Sequence, residues 1–205
     1  MNIIERIKNI IITPKTEWEK INGEEQSLST VLMSYVLPLA LVASVAAFIG
    51  YGLIGVDTGI LGIKIKGYNW GFYTAIKQFI SSILAVIVSA YVVDMLAPSF
   101  GSDKNINKSA QLVAYAYTPG MIGAFLNILP MLAIIGGLFG LYGIYLWYLG
   151  LGPMKKTPED KKVVYLIVSI LVMIVVFIVV GLVLGKILGS IFNIGLLGDY
   201  GRFGI

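Results

Sequence analysis

Asp94 is the side chain whose type and position point most directly to chemistry, because it is the one acidic residue within the apolar stretch 71–98. An ionisable group at membrane depth is energetically costly and commonly marks a functional site. Asp94 stands four residues before Pro98, so we expect it close to one face of a membrane. There it either reaches headgroup water or pairs with Lys104 or Lys108 in the following loop. A polar transport site is the competing interpretation.

The run Ala-Tyr-Ala-Tyr-Thr-Pro-Gly at positions 114–120 is the second candidate. Pro119 cannot donate a backbone hydrogen bond and frees a carbonyl one turn earlier, so it predicts a kinked helix. The hydroxyls of Tyr115, Tyr117 and Thr118 can satisfy that freed group, which is the structural interpretation that we favour. A broken helix lined with hydroxyls can also form a substrate or ion site, as in transporters.

Tyr142 and Tyr145, three residues apart, complete the candidate polar residues, although they most simply pack against neighbours or meet headgroups. The sequence contains no cysteine and no histidine, which excludes a thiolate nucleophile, an imidazole base and the usual zinc ligands. Phosphate-binding glycine loops, paired carboxylates and basic stripes of the nucleic-acid type are also absent from the sequence. We therefore expect no enzyme, no cofactor, no metal and no nucleic-acid partner.

The elements that position these residues must be transmembrane helices. Hydrophobic residues make up 58% of the 205 residues and charged ones 13%, and the mean hydropathy is +0.88. A soluble domain does not carry such values. The stretch 163–185 has no charge at all. At about 1.5 Å per residue it is long enough to cross a hydrocarbon core of about 30 Å.

Five apolar segments predict an all-α bundle of five transmembrane helices with the lipid bilayer as solvent. The segments cover 29–55, 71–98, 109–127, 131–151 and 163–192, with a break at 127–130 between the third and the fourth. Small residues four positions apart would let helices pack closely, within one chain (which we favour) or between copies. These residues are Ala116, Gly120 and Ala124; Gly136 and Gly140; and Gly181, Gly185 and Gly189.

Residues 1–28 form a separate segment ahead of the first span. Isoleucines recur there at helical spacing, so we expect an amphipathic helix lying in the membrane interface, with Trp18 as an interfacial anchor. The alternative is a docking site for a cytoplasmic partner. That site would use the acidic residues Glu17, Glu19, Glu24 and Glu25.

The distribution of basic residues predicts the orientation of the bundle. Ten of the fifteen Lys and Arg residues fall in the N-terminal segment and in the two loops that should lie on the same side. The other side has five: Lys64, Lys66, Lys77, Lys186 and Arg202. The positive-inside rule therefore predicts a cytoplasmic N-terminus and a C-terminus outside.

Three runs together resemble the Yip family of Ypt/Rab-interacting membrane proteins, in particular its bacterial branch. They are TPKTEWEKI at 13–21, AYAYTP at 114–119 and LYGIYLWYLGL at 141–151. The resemblance implies a five-helix membrane domain without known enzymatic activity, whose eukaryotic relatives bind prenylated Rab GTPases in vesicle traffic. Many of those relatives carry an acidic-aromatic motif before the first span. That motif has no match at 17–29, so we expect no Rab-type partner and a bacterial inner membrane as location.

Two functions follow from these observations. The first is a non-enzymatic scaffold or adaptor that organises membrane proteins or lipids, with a membrane-protein partner or a second copy of the chain. The second is a small transporter or channel with a polar site at Asp94 and the Pro119 kink.

Overall fold

The structure is a computed structural model that describes residues 2–57 and 64–194. The predicted location of the C-terminus, with Arg202, falls outside the described residues. Within them, four helices are long and apolar enough to cross a membrane, which confirms the all-α membrane bundle. They cover Leu28–Ile54, Tyr68–Phe100, Pro130–Lys155 and Glu159–Ile191.

The first long helix widens at two places. Helix α3 (Leu28–Val31) and helix α4 (Leu37–Ala47) are joined by π-helical turns at Leu32–Val36, and α4 continues through further π-helical turns at Phe48–Ile54. Pro38 explains the first widening, because its nitrogen has no hydrogen to complete the α-helical ladder.

The other long helices are regular over most of their length. Helix α5 spans Tyr68–Leu96 and ends in a 3-10 turn at Ala97–Phe100. Helix α8 (Ala133–Lys155) follows a 3-10 turn at Pro130–Leu132, and helix α9 spans Glu159–Ile191. Between α4 and α5, the two-residue strands β1 (Val56–Asp57) and β2 (Lys64–Ile65) pair antiparallel.

The third predicted span is not one continuous helix, so the described residues contain four long membrane-spanning helices where we predicted five spans. Residues 109–127 belong to helix α6 (Ile106–Ala116), helix α7 (Thr118–Gly123) and a 3-10 turn at Ala124–Ile128. The break falls at Tyr117, where Pro119 in the first turn of α7 cannot continue the ladder of α6. The interrupted segment nevertheless runs along α8.

The N-terminal segment forms a helical head on the bundle, made of helix α1 (Ile3–Ile12) and helix α2 (Pro14–Asn22). The prediction of Trp18 as an interfacial anchor is wrong, because its side chain is 1% exposed. It packs against α8 at Gly150, where an added Cβ would lie 2.9 Å from the indole ring. The missing side chain of Gly150 therefore makes room for an aromatic residue that the protein itself buries.

The head, the loop after α5 and the turn after α8 meet at one end of the bundle, which we call the head end. The Asp103 backbone N–H donates to the Lys155 carbonyl (2.8 Å), and Lys108 Nζ donates to the Asn22 carbonyl (2.5 Å). The opposite end, where Gly52 of the first long helix meets Gly71 of α5, is the far end. The contacts at the head end thus bring together the three basic segments that we predicted to share one side. These are the N-terminal segment, the loop after α5 and the turn after α8.

Candidate functional site at the head end

Asp94 lies in the last turn of α5 and is 7% exposed. Lys155 Nζ donates to Asp94 Oδ1 (3.1 Å), to Ser109 Oγ (2.7 Å) and to the Asn105 carbonyl (3.3 Å). The Ser109 hydroxyl in turn donates to Asp94 Oδ1 (3.1 Å). One ammonium group thus joins the ends of α5, α6 and α8, and all three of its N–H donors have an acceptor.

The predicted partners of Asp94 were wrong, because Lys155 takes the place that we expected Lys104 or Lys108 to fill. Helix α8 continues past the predicted end of its span at 151 and includes Lys155, whose side chain is fully buried. Lys108 instead donates to two backbone carbonyls at the end of the head. Hydropathy missed Lys155, although a cation one turn beyond the predicted end of an apolar segment was a usable signal.

The contact between Ser109 and Lys155 has the residue types of a serine nucleophile and a lysine base. A base needs a free lone pair, whereas this lysine directs three donors at three acceptors as an ammonium ion would. Ser109 and Lys155 are also 0% exposed, so a substrate does not reach them in this conformation. The arrangement is therefore suited to joining helices, in the manner of a buried ion pair, and not to acyl transfer.

A second buried polar cluster joins the head to the bundle. Arg6 is 4% exposed and forms ion pairs with Glu17 and with Glu24. Its guanidinium lies 5.3 Å from the centre of the Tyr115 ring, and the Tyr115 hydroxyl donates to Gln26 Oε1 (3.0 Å). The helical spacing of the isoleucines places Arg6 on the polar face of α1, but periodicity cannot distinguish a residue that faces water from one that faces a buried carboxylate.

The remaining hydroxyls of the 114–120 run bind neighbouring helices. The Tyr117 hydroxyl is 2.7 Å from Ser89 Oγ on α5, and Thr118 Oγ1 is 2.7 Å from the Tyr35 hydroxyl on the first long helix. Pro119 ends α6 and thereby lets successive residues point toward different helices. The break therefore acts as a junction in which each hydroxyl has its own partner.

Tyr142 and Tyr145 have different surroundings despite their close spacing. The Tyr142 hydroxyl donates to the Ile11 carbonyl at the end of α1 (2.8 Å), which adds another contact between head and bundle. Tyr145 is 46% exposed, and its ring lies 5.6 Å from that of Tyr142.

The first two small-residue stripes contact each other within the molecule. An added Cβ on Gly136 would lie 2.4 Å from the Gly123 carbonyl oxygen, and one on Gly120 would lie 3.7 Å from the Gly140 Cα. On the same interface, a Cβ on Gly143 would lie 2.7 Å from the Ala116 carbonyl oxygen. The stripe that includes Ala124 thus follows α8, as expected for packing inside one chain.

The third stripe, on α9, has few neighbours. A Cβ on Gly181 would meet nothing within 4 Å among the described residues, and one on Gly185 would approach the Tyr73 hydroxyl only to 3.9 Å. Gly189 is more closely packed, because an added Cβ would lie 3.0 Å from the Ile194 carbonyl oxygen.

A cavity of about 340 Å³ lies between α5, α7, α8 and α9. Its lining is mostly apolar and includes Met121, Trp147 and Met173, with polar groups from Gln78 and Ser82 and the edge of Tyr117. Asp94 is not part of this lining. The two candidate polar sites, Asp94 and the Pro119 region, are therefore not joined by this cavity.

Comparison with known proteins identifies the family. The family model described as the Yip1 domain matches residues 8–180, from α1 through most of α9. The chain belongs to the Yip family. No curated protein and no solved structure gives a significant match. Together with the four long apolar helices, the family assignment makes this Yip-family chain a multi-pass integral membrane protein.

The surface of the head end also carries an exposed ion pair in this Yip-family protein. Lys156, just beyond α8, lies 2.7 Å from Asp103 of the loop after α5. The hydrogen bond and the charge of Asp103 raise the pKa of the Lys156 ammonium above its ordinary value. This pair sits in water, so it contributes little compared with the buried pair one residue away.

Proposed function

We propose that this Yip-family protein is a non-enzymatic scaffold or adaptor that holds a membrane partner through its head. What carries the proposal is that the buried polar groups of the head end serve to attach the head to the bundle. Lys108 and Tyr142 each hydrogen-bond the bundle to the head, and the Arg6 guanidinium, which pairs with Glu17 inside the head, lies 5.3 Å from the centre of the Tyr115 ring of α6. A surface held in one conformation loses less entropy on binding than a flexible one.

Apolar side chains on the outer face of α1 supply the proposed docking surface. Ile4 is 73% exposed and Ile12 is 66% exposed, although Ile10 between them is fully buried. Of the acidic residues considered for docking, Glu17 and Glu24 pair with Arg6, which leaves Glu19 and Glu25 at the surface. A partner would thus meet two exposed isoleucines on α1 with Lys8 between them, and the carboxylates of Glu19 and Glu25 elsewhere on the head surface.

The proposed orientation places this surface in the cytoplasm of a bacterial cell, with the chain in the inner membrane. Support comes from the clustering of the basic segments at the head end, since the side richer in Lys and Arg faces the cytoplasm. Accessibility labelling of single-cysteine variants tests this. Reaction of a cysteine at Lys8 only from the cytoplasmic side supports the orientation, and reaction only from outside overturns it.

Site-specific crosslinking in native membranes tests the adaptor. A photoreactive amino acid at Ile4 or Ile12 should give a discrete protein adduct, whereas one at Met131, which is 83% exposed at the far end, should react with lipid. The adduct should disappear when Arg6→Ala loosens the head. Lipid adducts alone at Ile4, Ile12 and Met131 would refute a protein-docking role for the head.

Transport is the second candidate function, and the cavity beside Tyr117 is the observation that favours it. A pathway would need to link this cavity to Asp94, which is paired with Lys155 and hydrogen-bonded to Ser109. Flux of ions and small solutes into liposomes that contain wild-type protein or Asp94→Asn decides this. Flux that depends on Asp94 supports transport, and equal leakage in both and in empty vesicles overturns it.

A further inference from the structure

The cavity between α5, α7, α8 and α9 has the size of a binding site. About 340 Å³ falls within the range of roughly 300–1,000 Å³ found for small-molecule sites. Its rim reaches the outer surface of the bundle, because Ile144 of α8 is 39% exposed and Ile174 of α9 is 49% exposed although both line it. A molecule that enters from the surrounding bilayer would therefore pass between these two helices.

A lysine lies next to this cavity on the side of the far end. Lys77 directly precedes the lining residue Gln78, and no carboxylate among the described residues pairs with it. Its ammonium donates to the Tyr73 hydroxyl (3.4 Å) and lies 5.5 Å from the centre of the Tyr73 ring. Lys77 is thus a partly buried cation that the described residues leave without an anion.

The depth of Lys77 fits a lipid headgroup. Helix α5 is about 44 Å long at 1.5 Å per residue, and Lys77 lies about 14 Å from its first residue. If a hydrocarbon core of about 30 Å is centred on α5, the Lys77 backbone is about 7 Å below its surface. A lysine stem can extend its ammonium over that distance to the headgroup level.

An open slot on α9 connects the cavity with Lys77. The lining residues Ile174 and Phe177 lie on the same face of α9 as Gly181 and Gly185. Open space surrounds the position of an added Cβ on Gly181, and one on Gly185 would lie 4.0 Å from Lys77 Nζ. The face of α9 toward α5 therefore leads from an apolar cavity, past an empty position, to a cation.

We propose that this site binds one anionic phospholipid of the bilayer, with an acyl chain in the cavity, the glycerol region at Gly181 and the phosphate on Lys77. The apolar lining matches a hydrocarbon chain, and the cation matches the negative charge of the headgroup. The Gln78 side-chain amide donates one N–H to Ser82 Oγ at the cavity wall, and its second N–H can donate to an ester oxygen. The site stands independently of the scaffold role, because it lies away from the head.

Lipid retention measured by native mass spectrometry tests the headgroup part of this proposal. The full-length protein is reconstituted in nanodiscs of phosphatidylglycerol and phosphatidylcholine and transferred to detergent. The wild type should retain one phosphatidylglycerol in preference to phosphatidylcholine. Lys77→Gln should lower that preference about fivefold, the factor that one lysine near the surface supplies, and Lys77→Arg should keep it.

The control Lys161→Gln changes an exposed lysine at the other end of α9 and should have no effect. Equal preference in Lys77→Gln and the wild type would overturn the proposal.

Tryptophan quenching tests the acyl-chain part with a second readout. In the variant Trp18→Phe/Trp70→Phe, Trp147 is the remaining tryptophan, and it is 2% exposed at the cavity wall. Phosphatidylglycerol with brominated chains should quench its fluorescence more than brominated phosphatidylcholine does. Gly181→Leu, which fills the slot, should remove that difference while the circular dichroism spectrum stays unchanged. Equal quenching by the two lipids, or quenching unchanged by Gly181→Leu, contradicts entry of the chain.

Discussion

At the head end, Lys155, Asp94 and Ser109 join three helices through buried hydrogen bonds, whereas at the far end the helix backbones meet directly. An added Cβ on Gly50 would lie 1.8 Å from the Asn127 carbonyl oxygen, and one on Gly71 would lie 2.7 Å from the Gly52 Cα. Polar contacts require one particular partner for each group, but glycine contacts require only a matching shape. The two ends of the bundle therefore use different means to select their neighbours.

Helix α9 is more deeply buried near the head end than around Leu182 toward the far end. Tyr165, near the head end, is fully buried and its hydroxyl donates to the Val93 carbonyl (2.5 Å). Leu182, near the far end, is 69% exposed. Helix α9 thus packs on the bundle mainly through its head-end half and is exposed around Leu182, which leaves the space beside Gly181 open.

Removal of the cation at the head end should have the largest effect. Lys155→Met leaves the Asp94 carboxylate buried without its partner and should lower the free energy of unfolding by about 3–5 kcal/mol. Unfolding by sodium dodecyl sulfate in mixed micelles, followed by circular dichroism, measures this. The control Lys156→Met changes the neighbouring lysine, whose side chain is 78% exposed, and should stay within about 0.5 kcal/mol.

The double variant Lys155→Met/Asp94→Asn sharpens this prediction. It removes both charges, so it should be more stable than Lys155→Met alone. If Lys155→Met and Lys156→Met lost the same stability, the buried ion pair would not be what holds the head end together.

Loss of Arg6 should act on the head and leave the bundle folded. In Arg6→Ala the buried Glu17 carboxylate loses its buried cation and keeps only the exposed Lys20 at 3.8 Å, so the local free energy of opening of α1 and α2 should fall by about 3 kcal/mol. Hydrogen exchange of the head amides measures this, with Lys8→Ala on the same helix as an exposed control. Unchanged exchange in α1 and α2 would show that the head is held by its apolar contacts alone.

A methyl group placed between helices toward the far end should cost less. Gly136→Ala brings a Cβ to 2.4 Å from the Gly123 carbonyl oxygen and should destabilise the protein by about 1–3 kcal/mol. Gly137→Ala adds the same methyl group one residue later, where nothing lies within 4 Å. That control should gain up to about 1 kcal/mol from helix propensity. Equal unfolding curves for the two variants would contradict close packing of α7 on α8.

The smallest effect is expected for one hydroxyl between head and bundle. Tyr142→Phe removes the hydrogen bond to the Ile11 carbonyl and should cost about 1 kcal/mol. Tyr145→Phe is the matched control, since its hydroxyl makes no hydrogen bond within the described residues. A loss of equal size in both variants, measured by the same detergent unfolding, would exclude a specific role for Tyr142.

Most long elements were predictable from composition along the chain. The second apolar segment, 71–98, corresponds to α5 with its 3-10 turn at Tyr68–Phe100, and the fifth, 163–192, corresponds to α9 at Glu159–Ile191. Pro119 also indicated the place where the third segment breaks. These features depend on local properties, namely hydropathy, helix length and a missing N–H, so a single sequence is sufficient to recognise them.

The partners of the polar side chains were not predictable in the same way. Lys155 is 61 residues from Asp94, and Tyr142 is 131 residues from Ile11. Periodicity tells which residues share a face of a helix, but not which other helix that face will meet. Hence the burial of Trp18 and Arg6, the neutralisation of Asp94 by Lys155 and the open slot at Gly181 emerged from the packing of helices distant in sequence.

The amino-acid sequence establishes that lipid surrounds this protein, because its apolar segments are long enough to cross a bilayer. As helices, these segments satisfy their own backbone hydrogen bonds in an apolar solvent. The packed structure settles which helices touch and which cations find a carboxylate. Such contacts depend on the relative rotation of whole helices, a quantity that is absent from any local stretch of residues.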